Sequence, residues 1–158
     1  MKKTASLKFA GLALLGSFAL AACNQANLTG SAKTYAFAAQ AGFTDGQAGT
    51  ATRADLNSKD TTTVLSATKL KPSTLYVAHY HLAGTDTTQG VCASKGKIID
   101  GNIGNASVLS DANGNLVIRG LTATTNLANA MYINIHEDRT PDLSSVPLCA
   151  DLTLPPTK

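Results

Sequence analysis

The chain has 158 residues, of which 44% are hydrophobic and 5% are aromatic, and it carries a formal net charge of +3. Setting aside Lys2, Lys3 and Lys8 near the N-terminus leaves ten of its 13 basic residues, which balance its 10 acidic ones. A neutral chain without a basic cluster and with few aromatic side chains excludes nucleic-acid binding through a basic, base-stacking surface.

The N-terminal segment is typical of an export signal. Two lysines precede the apolar stretch Ala10–Ala19, which is shorter than the apolar segment that a transmembrane helix needs. The ending Leu20-Ala21-Ala22-Cys23 resembles a bacterial lipobox, which implies cleavage before Cys23 and acylation of its thiol. An ordinary secreted protein with an unrelated cysteine is the alternative.

The predicted cleavage divides the chain. We expect a lipoprotein signal peptide over residues 1–22, the acylated Cys23 with a flexible tether over residues 23–33, and a β-sandwich domain over residues 34–158. Removing 22 residues from 158 leaves 136, enough for one domain with a core. The protein is then expected in the cell envelope, anchored by lipid to a bacterial membrane on its extracytoplasmic side.

Short strands are predicted along the rest of the chain. Threonine, valine, isoleucine and tyrosine recur with a period of two, and glycine, proline, asparagine and aspartate separate the segments. The predicted strands are Thr34–Ala41, Thr50–Leu56, Thr62–Ala67, Leu75–His81, Leu116–Leu121, Ala130–His136 and Cys149–Leu154. Asn113-Gly114 predicts a two-residue hairpin turn. Seven or eight strands in one domain predict an antiparallel sandwich or barrel.

The chain contains three histidines, and their spacing predicts a metal site. His79 and His81 are two residues apart in a predicted strand, so they share one face of it. His136, near the end of another predicted strand, can complete a triangle of imidazoles. A three-histidine site suits copper or zinc. The alternative is three separate histidines at strand ends.

The cysteines predict a disulfide. If Cys23 is acylated, Cys92 and Cys149 remain as a pair in an exported protein, where disulfides persist. Two metal-binding thiolates are the less favoured interpretation, because the spacing fits no zinc motif.

These landmarks, taken in order, resemble the copper/zinc superoxide dismutase family over residues 34 to 155. The matching segments are Leu70-Lys71-Pro72-Ser73-Thr74, Val77-Ala78-His79-Tyr80-His81, Cys92, Gly101-Asn102-Ile103-Gly104-Asn105, Ser110-Asp111-Ala112-Asn113-Gly114, Ile133-Asn134-Ile135-His136-Glu137-Asp138 and Cys149-Ala150-Asp151. The resemblance implies an all-β, antiparallel Greek-key sandwich or barrel. It also implies that His79, His81 and His136 are copper ligands.

The chain departs from this family around the metals. It has no histidine between His81 and His136, so the bridging and zinc histidines are absent, and Asn102 replaces the zinc aspartate. The metal and electrostatic loops are shortened, and Val146 occupies the position of the active-site arginine. We therefore expect one copper ion and no zinc.

Other basic residues can supply the positive charge that the family's active-site arginine provides. Lys95, Lys97 and Arg139 lie near the histidines in sequence and can replace the family's arginine in attracting an anion, although solvated loop charges are the commoner interpretation.

The expected function is a copper-only superoxide dismutase, an antioxidant oxidoreductase of the envelope that converts superoxide to oxygen and hydrogen peroxide. Its partners would be superoxide, the membrane through the lipid anchor, and envelope proteins. The alternatives are a lipoprotein that sequesters copper without turnover, a metal-free structural module, and zinc-dependent hydrolysis at three histidines and a water.

Overall fold

The computed structural model describes residues 30–43, 46–56, 59–104, 106–138 and 143–157. Within them it contains strands and two short 3₁₀ helices, Val91–Ala93 and Thr124–Leu127. The strands are β1 Lys33–Ala39, β2 Ala48–Leu56, β3 Asp60–Thr68, β4 Leu75–His81, β5 Ile98–Asn102, β6 Val108–Leu109, β7 Leu116–Ala123, β8 Tyr132–Glu137 and β9 Leu148–Asp151.

The strands form one antiparallel sheet that curls into a nearly closed barrel. Its order is β5-β4-β8-β9-β1-β2-β3-β7, and β6 pairs with β4 off this path. Three neighbouring pairs, β3–β7, β4–β8 and β9–β1, join strands that are not consecutive in the chain, as in Greek-key connections. The all-β prediction is confirmed.

Close backbone approach narrows the gap between the two ends of the sheet. A Cβ on Gly120 of β7 would lie 2.4 Å from the backbone nitrogen of Gly104, which follows β5. A Cβ on Gly104 would lie 2.8 Å from the carbonyl oxygen of Arg119. Glycine at both positions therefore allows the segment after β5 to pack directly against β7.

The seven predicted strands are all present, with small differences at their ends. The predicted strand Leu75–His81 is found with the same bounds, whereas the last strand ends at Asp151, before Leu154. β5 and β6 were not predicted, because they are short and adjoin glycine, asparagine and serine. Asn113-Gly114 does lie in a turn, but the hairpin prediction was wrong, since β6 and β7 pair with different strands.

Burial differs between the two sides of the barrel. The inner faces of the strands form one apolar core that includes Phe37, Leu65, Tyr76, Ile118, Ile133 and Leu148. β3 and β7 alternate between buried and more exposed residues for most of their length. In β4, by contrast, every residue from Tyr76 to His81 is buried, so both faces of this strand are covered.

The disulfide prediction is confirmed. Cys92, in the first 3₁₀ helix, is bonded to Cys149 of β9, with a Cα–Cα distance of 6.0 Å and a sequence separation of 57. The alternative of two metal-binding thiolates is therefore wrong. A bridge that closes a loop of this length contributes about 4 kcal/mol by loop-entropy reasoning. It ties residues 82–97, between β4 and β5 and called the covering segment below, to the sheet.

Several predictions concern residues that the structure does not describe. The signal peptide over residues 1–22, Cys23, most of the tether and Arg139 lie outside the described residues. Within the described part of the chain, no helix has the length and apolar character needed to span a bilayer.

Candidate metal centre

Two neighbouring strands bring the three histidines together. β4 carries His79 and His81, and β8, which pairs with it in antiparallel register, carries His136. In that register His136 lies opposite Val77, and Asn134 lies opposite His79. Because strand side chains alternate between faces, all of these residues project from the outer face of the barrel. The centroids of the three imidazole rings lie between 5.1 and 6.1 Å apart.

Each imidazole uses one nitrogen in a hydrogen bond and leaves the other free. Nδ1–H of His81 donates to the Gly96 carbonyl oxygen at 2.9 Å, and Nδ1–H of His136 donates to the Leu143 carbonyl oxygen at 2.6 Å. A carbonyl oxygen only accepts, so Nε2 of both rings carries a lone pair. These two Nε2 atoms are buried and have no hydrogen-bond partner.

His79 is held in the opposite tautomer. Its Nε2–H donates to Oδ1 of Asn102 at 2.7 Å, which leaves Nδ1 buried and without a partner. The candidate ligand atoms are therefore Nδ1 of His79 and Nε2 of His81 and His136. Such outer hydrogen bonds are what fixes the orientation and tautomer of metal-binding histidines.

The spacing of the three rings fits a single metal ion. One ring nitrogen from each histidine can be chosen so that the three atoms all lie within 4.8 Å of one another. Nitrogens that bind one ion at about 2.0–2.1 Å in a trigonal arrangement lie roughly 3.5 Å apart. Only a small inward movement of the rings separates the observed spacing from a bound geometry.

An irregularity in β5 positions Asn102. The register of β4 and β5 shifts between His79 and Tyr80, so His79 pairs with Asn102 and Tyr80 with Ile99. The two extra residues, Asp100 and Gly101, have positive φ angles of 54° and 75°. This bulge places Asn102 directly beside His79, within reach of its ring.

Gly96 fixes the position of His81 from the covering segment. While its carbonyl accepts from His81, its N–H donates to the Tyr132 hydroxyl at 2.8 Å. The Tyr132 ring stacks on His81, with centroids 4.7 Å apart and planes 9° apart. A Cβ on Gly96 would lie 1.7 Å from the Leu82 carbonyl oxygen, so the close approach requires glycine.

Burial keeps the histidines neutral. It lowers the pKa of His136 to about 4, against the opposite effect of its hydrogen bond to Leu143. Burial also lowers the pKa of His79 and of His81, while their hydrogen bonds to Asn102 and Gly96 raise it. At neutral pH all three rings are therefore uncharged, which is the form that binds a metal.

An open cleft of about 970 Å³ leads to two of the three histidines. His81 and His136 line it, together with apolar side chains such as Phe43 and Val146. Lys95 and Lys97 line it as well, whereas no acidic residue is among its described lining residues. The lining of the approach to the candidate centre thus combines apolar side chains with two lysines.

The predicted site residues meet in space, and the structure adds partners that the sequence did not suggest. His79, His81 and His136 form the expected cluster; their role as metal ligands stays a prediction. Val146 and two of the three basic candidates lie in the same cleft. The hydrogen-bonding roles of Asn102, Gly96 and Leu143 were missed, because backbone carbonyls carry no sequence signal and the bulge was not recognised.

The fold and the site define an antiparallel β-barrel protein with a candidate three-histidine metal centre. The chain matches no protein-family model and no curated protein sequence. The nature of the metal and the reaction are therefore matters for proposal.

Proposed function

We propose that His79, His81 and His136 hold one copper ion and that the protein dismutates superoxide. The observation that carries the proposal is the convergence of three buried, unprotonated ring nitrogens that have no other partner. Imidazoles suit copper, zinc, iron and nickel, and the choice of copper rests on the sequence resemblance. A bound copper ion would oxidise one superoxide and reduce a second, so that two superoxides and two protons give oxygen and hydrogen peroxide.

The chain's own residues support this use of the centre. The three outer hydrogen bonds to Asn102, Gly96 and Leu143 hold the rings in place while the charge of an ion between them changes. The cleft leaves a path for a small substrate.

Positive charge at the cleft favours an anionic substrate. Lys95 and Lys97 both line it, and no described acidic residue opposes them there. Electrostatic attraction of this kind raises association rates by about 10–10³-fold. In this proposal the two lysines perform the attraction for which Val146, an apolar residue, is unsuited.

The proposal also places the protein in the cell envelope, anchored through an acylated Cys23. The Leu20-Ala21-Ala22-Cys23 sequence supports the anchor. The Cys92–Cys149 disulfide supports an oxidising, extracytoplasmic compartment, because disulfides are rare in the reducing cytosol.

Copper sequestration without turnover is the second candidate function. The three histidines are only 2–5% exposed, and Val146 makes part of the cleft apolar. Both features favour retention of a metal over rapid exchange of ligands at it.

Metal analysis combined with the decay of pulse-generated superoxide tests the two candidates. Protein exported and then loaded with copper and zinc is expected to retain about one copper and to accelerate the decay. His81→Ala leaves two imidazoles and is expected to lose copper retention. Val117→Ala, on the exposed side of β7, is the control and should retain it.

The remaining outcomes select the alternatives. Copper retention without accelerated decay favours sequestration. Retention of zinc alone contradicts the copper assignment, and a chain that retains no metal is a structural module. Unchanged retention in His81→Ala would show that the ligand assignment is wrong.

A further inference from the structure

Buried polar atoms without a hydrogen-bond partner are concentrated at the candidate centre. The described residues contain six such side-chain atoms, and four of them lie on the outer face of β4 and β8. Three are the free ring nitrogens of the histidines. The fourth is Oδ1 of Asn134, a residue that has no part in the three-histidine cluster itself.

Asn134 lies in the middle of the histidines. It is directly opposite His79 in the β4–β8 register, two residues before His136 on the same face, and diagonal to His81. Directly opposite side chains in antiparallel strands have Cβ atoms about 4.5–5.5 Å apart. Asn134 is only 6% exposed, yet it lines the cleft that leads to the centre.

A polar side chain at this position requires an explanation. The neighbouring outward residue of β8, Tyr132, satisfies its hydroxyl with the Gly96 N–H. Asn134 Oδ1, in contrast, has been removed from water and bonded to nothing, which is unfavourable for a carbonyl oxygen. A hydrogen-bond donor seated between Asn134 and the histidines, such as a water molecule, would pair this oxygen.

We propose that the side-chain amide of Asn134 binds the exogenous ligand of the metal centre, a water molecule or a small anion. This inference rests on the proposed metal site but does not require turnover of superoxide. The amide carries one acceptor and two donor hydrogens on a single rotatable group. It can therefore accept a hydrogen bond from a water at the open coordination position and donate one to an anion that replaces the water.

Direct ligation by Asn134 is the less suitable role. Carbonyl oxygens suit magnesium, calcium and manganese, whereas imidazoles suit copper and zinc. A centre that exchanges small ligands also needs one coordination position left open. Asn134 therefore acts on the ligand rather than on the metal.

Azide binding to the copper(II)-loaded protein tests this inference. Azide is a small anion whose binding is followed by a charge-transfer absorption band, independently of any reaction with superoxide. Asn134→Leu replaces the amide with an apolar group of similar size and should raise the dissociation constant for azide about tenfold or more, since a hydrogen bond to a charged ligand is lost. The electron paramagnetic resonance spectrum of the azide complex should shift as well.

Two further variants keep the test decisive. Asn134→Ala removes the same amide without adding bulk, and it should weaken azide binding even if the leucine does not fit. Val117→Ala changes an exposed apolar residue of β7 that does not line the cleft, and it should leave the dissociation constant unchanged.

The outcomes separate this inference from the proposed function. Unchanged azide affinity and an unchanged spectrum in both Asn134 variants would overturn it, and tighter azide binding would overturn it by showing that Asn134 is itself a ligand. Weaker azide binding supports it even if the protein does not accelerate superoxide decay. Failure of the wild-type protein to bind copper overturns both.

Discussion

The two sides of the barrel are built from the same kind of strand but are covered differently. On the side of β3 and β7, inward residues are buried and outward residues such as Val117 and Leu121 are exposed. On the side of β4 and β8, the outward residues are buried too, under the segment around Gly96 and the segment around Leu143. A covered outer face is ordinarily apolar, but this one is lined by three histidines and an asparagine.

The unpaired buried polar groups that lower the stability of the fold are concentrated on the covered face. Buried polar groups are normally paired, because each unpaired one costs about 1–3 kcal/mol. Four of the six unpaired buried side-chain atoms among the described residues lie on the covered face. The covering segments pair one nitrogen of each of two histidines and leave the other free, so they orient lone pairs instead of eliminating them.

The largest expected effect is a loss of stability on acidification, caused by the buried histidines of the covered face. The pKa of His136 is about 4 in the folded protein, below its ordinary value of 6.5. Between these values the unfolded chain binds more protons than the folded chain. The free energy of unfolding therefore has its full value above pH 6.5 and falls as the pH decreases towards 4. For the metal-free protein this loss is on the order of 3 kcal/mol from His136 alone.

Denaturant unfolding of the metal-free protein at several pH values between 7.5 and 4 measures this effect. His136→Gln cannot take up the proton and should reduce the pH dependence, leaving the part that is due to His79 and His81. Copper-loaded protein should resist acidification further, because the metal and the proton compete for the same nitrogens. A free energy of unfolding that stays constant from pH 6.5 to 4.5 would contradict the burial argument.

A pair of glycines allows the two sides to be compared directly. A Cβ on Gly96 would lie 1.7 Å from a backbone oxygen of the covering segment, and a Cβ on Gly49 would lie 2.1 Å from the Ser66 carbonyl oxygen in the β2–β3 pairing. Both Gly96→Ala and Gly49→Ala should destabilise the fold by about 1–3 kcal/mol. Only Gly96→Ala should also weaken metal binding, because it displaces the acceptor of His81.

Isothermal titration with metal and denaturant unfolding separate these two effects. Equal loss of metal affinity in both variants would show that affinity follows overall stability and not the covering segment. Unchanged metal affinity in Gly96→Ala would show that the hydrogen bond to the Gly96 carbonyl does not determine the orientation of His81.

Much of this arrangement is predictable from the sequence, and the reason is periodicity. The two-residue spacing of His79 and His81 determines that they share a face, and the strand pattern before His136 places it on a second strand. The partners of the rings are a different matter. Gly96 and Leu143 act through their carbonyl groups, which every residue possesses, so no residue type marks them.

Asn102 differs from Gly96 and Leu143 because the residues before it do carry a sequence signal. The resemblance identifies Asn102 only as the replacement for a zinc-binding aspartate. The preceding Asp100-Gly101 pair adopts positive φ angles, which aspartate and glycine tolerate better than most residues. A bulge predicted at that pair would have placed Asn102 beside His79.

The smallest expected effect concerns this same side chain. Asn102→Leu removes the acceptor that keeps the proton of His79 on Nε2. The proton can then move to Nδ1, which removes the lone pair that would bind the metal. Loss of such an outer hydrogen bond lowers metal affinity about 10–100-fold. Asn115→Leu is a matched control, because Asn115 donates an exposed hydrogen bond to Asp111, outside the bulge that positions Asn102. Nitrogen-15 shifts of the His79 ring should report a mixed tautomer in Asn102→Leu and the wild-type tautomer in the control. If the tautomer and the metal affinity are both unchanged in Asn102→Leu, packing on the covered face alone orients His79. The two sides of the barrel would then differ at this residue in burial only, and not in a hydrogen bond that orients the ring.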